Sequence, residues 1–220
     1  GIVACELAQF LNRLGTRVIQ IQRSERILRE HTPESAAVVM QAFRDEGIEL
    51  HTGTRLQRID PITGGFAVHF EEDGKPVLRT APHVFNALGR KPNTGDLDLD
   101  KADITLRDSG HIQANANQQT TAPGIYAAGD VTGPHEIVHI AILQGEIAAK
   151  HAFGQPTEPV DFDTLLGVTF TDPQIGYVGM QEADMRARGI EYVTASFPFD
   201  DHGKSILMEA HYGYVKCWAQ

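Results

Sequence analysis

Gly129-Asp130 closes a short apolar run, Gly124-Ile125-Tyr126-Ala127-Ala128, and a glycine followed by a carboxylate at a strand end suits ligand binding. Open α/β sheets bind their ligands at the carboxyl ends of strands. A glycine there lets the backbone approach a ligand closely, and Asp130 can accept hydrogen bonds from ligand hydroxyls. A second group opens the chain, where Gly1, Ala4 and Glu6 lie at the start of a helical pattern. Gly1-x-x-Ala4 fits the last two small positions of G-x-G-x-x-[GA], the phosphate-binding turn of a βαβ unit. A third group is Gln22-Arg23-Ser24-Glu25-Arg26-Ile27-Leu28-Arg29, directly after the next strand. An NAD-preferring unit places Asp or Glu at the end of that strand, to bond the ribose 2′-hydroxyl. Here the position is neutral Gln22, and arginine can bond a 2′-phosphate bidentately.

Elements of one architecture must position these groups. Gly1 to Gly15 reads as an amphipathic helix with a stripe of Leu7, Phe10, Leu11 and Leu14, ended by Gly15. A strand at Arg17 to Ile21 follows. Thr32-Pro33 is a helix cap and first-turn proline, and Gly47 closes that helix. Strands are expected at Ile48 to His51, Leu56 to Ile59, Phe66 to Phe70 and Val77 to Thr80, the last two joined by the hairpin signal Asp73-Gly74. Val84 to Leu88 reads as a buried strand leading into Gly89-Arg90, and Ile125 to Ala128 as a buried parallel strand. A hairpin is expected around Asp108-Ser109-Gly110 and a helix over Ile137 to Phe153. Beyond Asp161 come strands at Leu165 to Phe170, Tyr192 to Phe197 and Tyr214 to Trp218, with a short helix at Gln181 to Arg188.

The bulk numbers narrow the function classes. A chain of 220 residues with 41% apolar and 22% charged residues is ordinary globular material for one or two domains. A formal charge of −10 argues against a nucleic-acid or membrane-surface partner. The ten histidines are scattered, and no metal site is expected. Cys5 and Cys217 are far apart in sequence and both read as small core residues. With no disulfide framework, secretory signal or spanning segment visible, the expected compartment is cytoplasmic.

Three ordered motifs carry a resemblance to a known family. Asn86-Ala87-Leu88-Gly89-Arg90-Lys91-Pro92-Asn93, the Gly129-Asp130 strand, and Ile137-Val138-His139-Ile140-Ala141 before Gln144-Gly145 resemble the FAD-binding core of the pyridine nucleotide-disulfide oxidoreductases. Thr171-Asp172-Pro173-Gln174-Ile175-Gly176-Tyr177-Val178-Gly179 is similar to the motif that starts the family's dimer-interface domain, so the resemblance covers essentially the whole chain.

The resemblance implies an α/β fold with three parts: a Rossmann-like nucleotide-binding domain over 1–88, lacking its first strand; the second part of an FAD-binding domain over 89–155; and a truncated α+β dimerisation domain over 156–220. It implies FAD and NADP as cofactors, NADPH being preferred because Arg23 and Arg29 match two arginines of NADPH-specific relatives. It places Asp130 on the FAD ribitol, Glu6 near the nicotinamide, and His139 and Ala141 beside the isoalloxazine, with Gly1, Ala4, Gly89 and Gly129 as further cofactor-binding positions. Arg90 reads equally as a functional charge or as a structural tie. A redox cysteine pair and an acid/base histidine are expected outside this stretch, so no catalytic residue is assigned within it. The implied activity is hydride transfer from NADPH through flavin to a disulfide or related acceptor, in a homodimer when full-length. The alternative is a dinucleotide-binding piece with no activity of its own.

Overall fold

Gly1 caps the helix α1 (Ile2–Arg13) in the computed structural model, which describes residues 1–133, 135–210 and 212–220. The helix ends as expected before Gly15, whose φ of +90° is the left-handed conformation glycine accepts without a Cβ clash. Its buried face differs from the expected stripe. Cys5, Ala8 and Gln9 point inward, whereas Phe10 and Leu14 are exposed. Small side chains at Cys5 and Ala8 let the helix pack close to its neighbours, which leaves the larger residues outside.

Strand β1 (Ile19–Ile21) leads through a loop to helix α2 (Pro33–Asp45) and strand β2 (Glu49–His51). Thr32 Oγ1 accepts from the N–H of Ser35 at 3.2 Å, and Pro33 occupies the first turn, where no amide hydrogen is needed. Ala36, Val39, Ala42 and Phe43 are the buried face. Gly47 turns the chain at φ +83°, and β2 then pairs with β1 in parallel, Ile19 opposite Glu49. Cys5, Ala8, Ile27, Leu28, Ala36, Val39, Phe43 and Ile48 make one core under this helix–strand–helix unit.

An antiparallel meander follows, β3 (Arg55–Ile62), β4 (Gly65–Glu72) and β5 (Lys75–Ala81), with a bulge in β3 between Leu56 and Arg58. Asp73 and Gly74 both have positive φ, 51° and 72°, which matches the twist of the β4–β5 hairpin. The run from Val84 to Leu88 does not form the buried strand expected of it. Phe85 and Leu88 are exposed, and the parallel sheet comprises only β1 and β2 among the described residues, so the run has no ladder to join.

Residues Gly89–Gly167 form a separate unit, while Val168–Gln220 belongs with Gly1–Leu88. Within the former, Leu106 bridges Ile112 around the expected hairpin turn at Gly110, and Ala114 bridges Thr120. Ile104, Ile112, Ala122 and Ala127 are its core. Ile125 to Ala128 is not a parallel strand. It runs antiparallel to 118–120, with the Ala127 N–H on the Gln118 carbonyl at 2.9 Å and Gln119 bridging Tyr126. The Ile125 and Ala127 N–H groups thus find local acceptors, the Ala122 and Gln118 carbonyls, without a parallel neighbour. Helix α3 (Val138–Ala152) buries Ile140, Gln144 and Ile147 at helical spacing.

Strands β6 (Leu166–Thr169) and β7 (Ile175–Val178) pair, helix α4 (Glu182–Ala187) follows, and β8 (Val193–Pro198) pairs antiparallel with β9 (Tyr214–Ala219). The turn-length helix α5 (Gly203–Leu207) lies between them and was not expected. Cys217 is exposed rather than a core residue, because β9 alternates and this position faces the open side of a two-stranded ribbon. Among the described residues no helix is long and apolar enough to cross a membrane.

Candidate functional site

Helix α1 holds Gly1, Ala4 and Glu6 in line. Gly1 is exposed with open space where a Cβ would stand, and Ala4 is half-buried. Glu6 Oε1 accepts the backbone N–H of Phe170 at 2.7 Å, so a residue 164 positions away fixes one of its oxygens. The neighbouring turn is held by Gln9, a buried residue that the sequence reading passed over. Its Oε1 accepts from the N–H of Asp172 at 2.7 Å, and its Nε2 donates to the Asp172 carbonyl and to Glu46 Oε1, both at 2.8 Å. Arg13 pairs with Glu46 at 2.6 Å and with Asp172 at 2.8 Å, and the Glu46 bond first of all raises its already high pKa. Together Glu6, Gln9, Phe10, Arg13, Phe170 and Asp172 line an open cleft of about 540 Å³.

The loop after β1 begins at Gln22. Its N–H donates to the His51 carbonyl at 2.8 Å, its carbonyl accepts from the N–H of Thr54 at 3.1 Å, and its side-chain amide is turned onto Ser24 at 3.0 Å. Arg23 and Arg29 are both exposed, and neither guanidinium forms an ion pair among the described residues. The loop ends at buried His31, whose Nε2 lies 2.8 Å from Thr169 Oγ1 and whose ring meets Tyr177 edge-on at 5.5 Å. Burial lowers the His31 pKa, so the neutral imidazole is favoured. No hydrogen bond or ion pair links Glu6 to Arg23 or Arg29 among the described residues.

The other five positions lie in the unit of residues 89–167. Gly89 takes φ +116° just before Arg90. Arg90 Nη1 donates to Asp130 Oδ2 at 3.1 Å and its Nη2 contacts Glu136, so Arg90 ties two carboxylates together. The Asp130 side chain remains 50% exposed, and its Oδ1 has no partner among the described residues. Gly129, at φ +81°, donates its N–H to Gln144 Oε1 at 2.7 Å. A Cβ on Gly129 would lie 3.2 Å from the Ala141 methyl, which explains why a glycine faces an alanine here. His139 is exposed in the first turn of α3 and forms no hydrogen bond or ion pair among the described residues. Histidine spacing does contain one pair four apart, His135 and His139, but His135 precedes the helix and its ring packs on Phe162 at 4.9 Å. No group of three potential metal ligands occurs among the described residues.

Comparison with known proteins gives this geometry a family. Residues 1–145 match the family model described as pyridine nucleotide-disulphide oxidoreductase, and residues 166–220 match its dimerisation domain. The chain belongs to the pyridine nucleotide-disulphide oxidoreductase family. Curated members similar to it include a mercuric reductase of Staphylococcus aureus, 33% identical over 98% of this chain and 40% of that protein. A dihydrolipoyl dehydrogenase of Thermus scotoductus is likewise 33% identical, over 98% of this chain and 47% of the relative. Among solved structures, LpdA of Mycobacterium tuberculosis superposes with a TM-score of 0.89 at 27% identity, covering all of this chain and 47% of that one. The chain thus spans less than half the length of these relatives. The α/β fold expected from the motifs, with its nucleotide-binding and dimerisation parts, is the fold of this family.

Proposed function

We propose that this chain belongs to a flavoenzyme that takes hydride from NADPH and passes it through FAD to a disulfide, Hg(II) or a related acceptor, acting in the cytoplasm as a homodimer. The observation that carries the reading is the loop after β1: neutral Gln22 turned onto Ser24, with two exposed arginines unengaged by acids. That arrangement suits a 2′-phosphate and lacks the carboxylate with which a ribose 2′-hydroxyl would pair.

The unit of residues 89–167 fits a flavin. Asp130 offers a half-exposed carboxylate with one free oxygen beside a glycine turn that brings main chain close. FAD bound there would supply the hydride acceptor and electron carrier. The chain's own residues bind and orient: Asp130 accepts from ribitol hydroxyls, Gln144 keeps the Gly129 turn in place, and Arg90 holds the Asp130 side chain in position. His139 and Ala141, at the start of α3, would lie on the side of the ring. In the other unit, Gly1 and Ala4 leave room for the pyrophosphate, Arg23 and Arg29 hold the 2′-phosphate, and Glu6 orients the carboxamide end with the oxygen that Phe170 leaves free.

Neither Cys5, which is buried and whose thiol pKa burial raises, nor exposed Cys217 forms a redox pair within this chain. A dinucleotide-binding role without turnover is therefore the second reading. Flavin absorbance on the purified protein, followed by its bleaching under anaerobic NADPH and NADH in turn, tests both. Bleaching that is faster with NADPH supports the proposal. No bound flavin, or no bleaching with either nucleotide, leaves the binding role alone.

A further inference from the structure

Between the two exposed arginines lies a third whose side chain turns the other way. Arg26 Nη1 donates to the Leu28 carbonyl at 2.9 Å and its Nη2 donates to the Arg29 carbonyl at 3.0 Å. The peptide it grips is an unusual one. Leu28 has φ +48°, a left-handed conformation that a leucine seldom adopts, and both Ile27 and Leu28 are fully buried in the core under α1 and α2. The His31 N–H closes the turn from the other side, on the same Leu28 carbonyl at 3.0 Å. The loop is therefore anchored through Ile27 and Leu28, bent at Leu28, and held in that bend by one planar fork that takes two successive carbonyls.

We propose that Arg26 is a positioning residue for nucleotide selection: it fixes the turn that fans Arg23 and Arg29 outward and itself makes no contact with the phosphate. The inference rests on the NADPH reading above. An exposed arginine on a loose loop must be ordered when it binds, and ordering each rotamer-rich side chain weakens affinity. A loop already clamped by Arg26 has part of that ordering in place. The fork geometry matters because two carbonyls one residue apart match a planar guanidinium, whereas a lysine ammonium is a point donor.

The test is binding of 2′,5′-ADP and of 5′-AMP to wild type and to Arg26→Ala, Arg26→Lys and Arg23→Ala, followed by calorimetry at several salt concentrations. Loss of the clamp should weaken 2′,5′-ADP about tenfold in Arg26→Ala, from the ordering of two side chains, and leave 5′-AMP within about twofold. Arg26→Lys should recover only part of the loss. The distinguishing readout is salt. Arg23→Ala should flatten the salt dependence of 2′,5′-ADP binding, because a direct charge contact is gone, while Arg26→Ala should keep the wild-type slope. A flattened slope in Arg26→Ala would make it a phosphate ligand and overturn the proposal. So would unchanged 2′,5′-ADP affinity. Wild type that binds both ligands equally would instead overturn the NADPH reading, and the positioning role with it. A circular-dichroism melt of each variant separates a local loosening from failure to fold; a 5′-AMP affinity that falls in step with 2′,5′-ADP also overturns the proposal.

Discussion

The backbone N–H of Gly129 donates to the side-chain oxygen of Gln144 at 2.7 Å, and both groups are buried. This bond ties the turn that carries Asp130 to the inner face of α3, where Gln144 sits between Ile140 and Ile147. Thr132 Oγ1 completes the turn by donating to the Gly129 carbonyl at 2.8 Å. Replacing Gln144 by Met keeps the length and removes the acceptor, leaving a buried N–H unpaired at a cost of about 1–3 kcal/mol. Urea unfolding of Gln144→Met should show that loss. Stability equal to wild type would mean that the Gly129 amide finds water instead.

Asp130 carries the flavin prediction. A charge-assisted hydrogen bond to a ribitol hydroxyl contributes about 1.5–3 kcal/mol, so Asp130→Ala should lower FAD affinity by roughly 10- to 150-fold. The Gly129–Gln144 and Thr132–Gly129 bonds do not involve the Asp130 side chain, so the turn keeps both in the variant. The flavin-to-protein ratio after gel filtration reads the effect directly. An unchanged ratio would reduce Asp130 to a partner for Arg90.

Helices α1 to α4, the β4–β5 hairpin and the caps were legible because local rules govern them: Thr32-Pro33 for α2, Asp73-Gly74 for the meander, Gly47 for the helix end; the five-residue α5 was not. Two apolar runs were misread because a run of apolar residues specifies a strand only if a neighbour exists to pair with it. Val84 to Leu88 has none among the described residues, and Ile125 to Ala128 turns back on its own preceding segment. The α1 stripe failed for another reason: close packing selected Cys5 and Ala8 over the larger Phe10 and Leu14. Motif spacing placed Glu6 and Asp130 in the chain. It had no means of showing that Gln9 and Gln144 would be the buried amides holding their surroundings, because a polar residue on a helix reads as surface until its partners across 163 and 15 residues are known.

Glu49 gives a pH prediction. Hydrogen bonds from Arg79 first, then His51, lower its pKa from an ordinary 4.5 to about 2. A carboxyl whose folded pKa is depressed contributes stability that is full above its unfolded value and is lost as pH falls through the folded value. The window is therefore from 4.5 down to about 2. Glu49→Gln should melt below wild type near about pH 6, and the gap should close steadily as the pH is lowered through that window. A gap that stays constant down to acid pH would show that Glu49 acts through packing rather than charge.

Arg23 and Arg29 carry the sharpest functional prediction. Both are exposed, neither is held by an acid among the described residues, and Gln22 supplies no carboxylate to favour a 2′-hydroxyl. Each charge-assisted contact to a phosphate contributes about 1.5–3 kcal/mol, equivalent to about a 10- to 150-fold preference. Arg23→Ala combined with Arg29→Ala should therefore lower kcat/KM for NADPH by at least that factor while leaving NADH nearly untouched. The loss should appear in KM, because the 2′-phosphate is remote from the reacting carbon and is held equally before and during hydride transfer. It should also shrink as salt is added, since exposed charges are screened within roughly 10 Å at moderate ionic strength. Steady-state kinetics with both nucleotides at low and high salt checks all three features. Equal losses for NADH and NADPH, or a wild type indifferent between them, would return the two arginines to the role of a solvated loop.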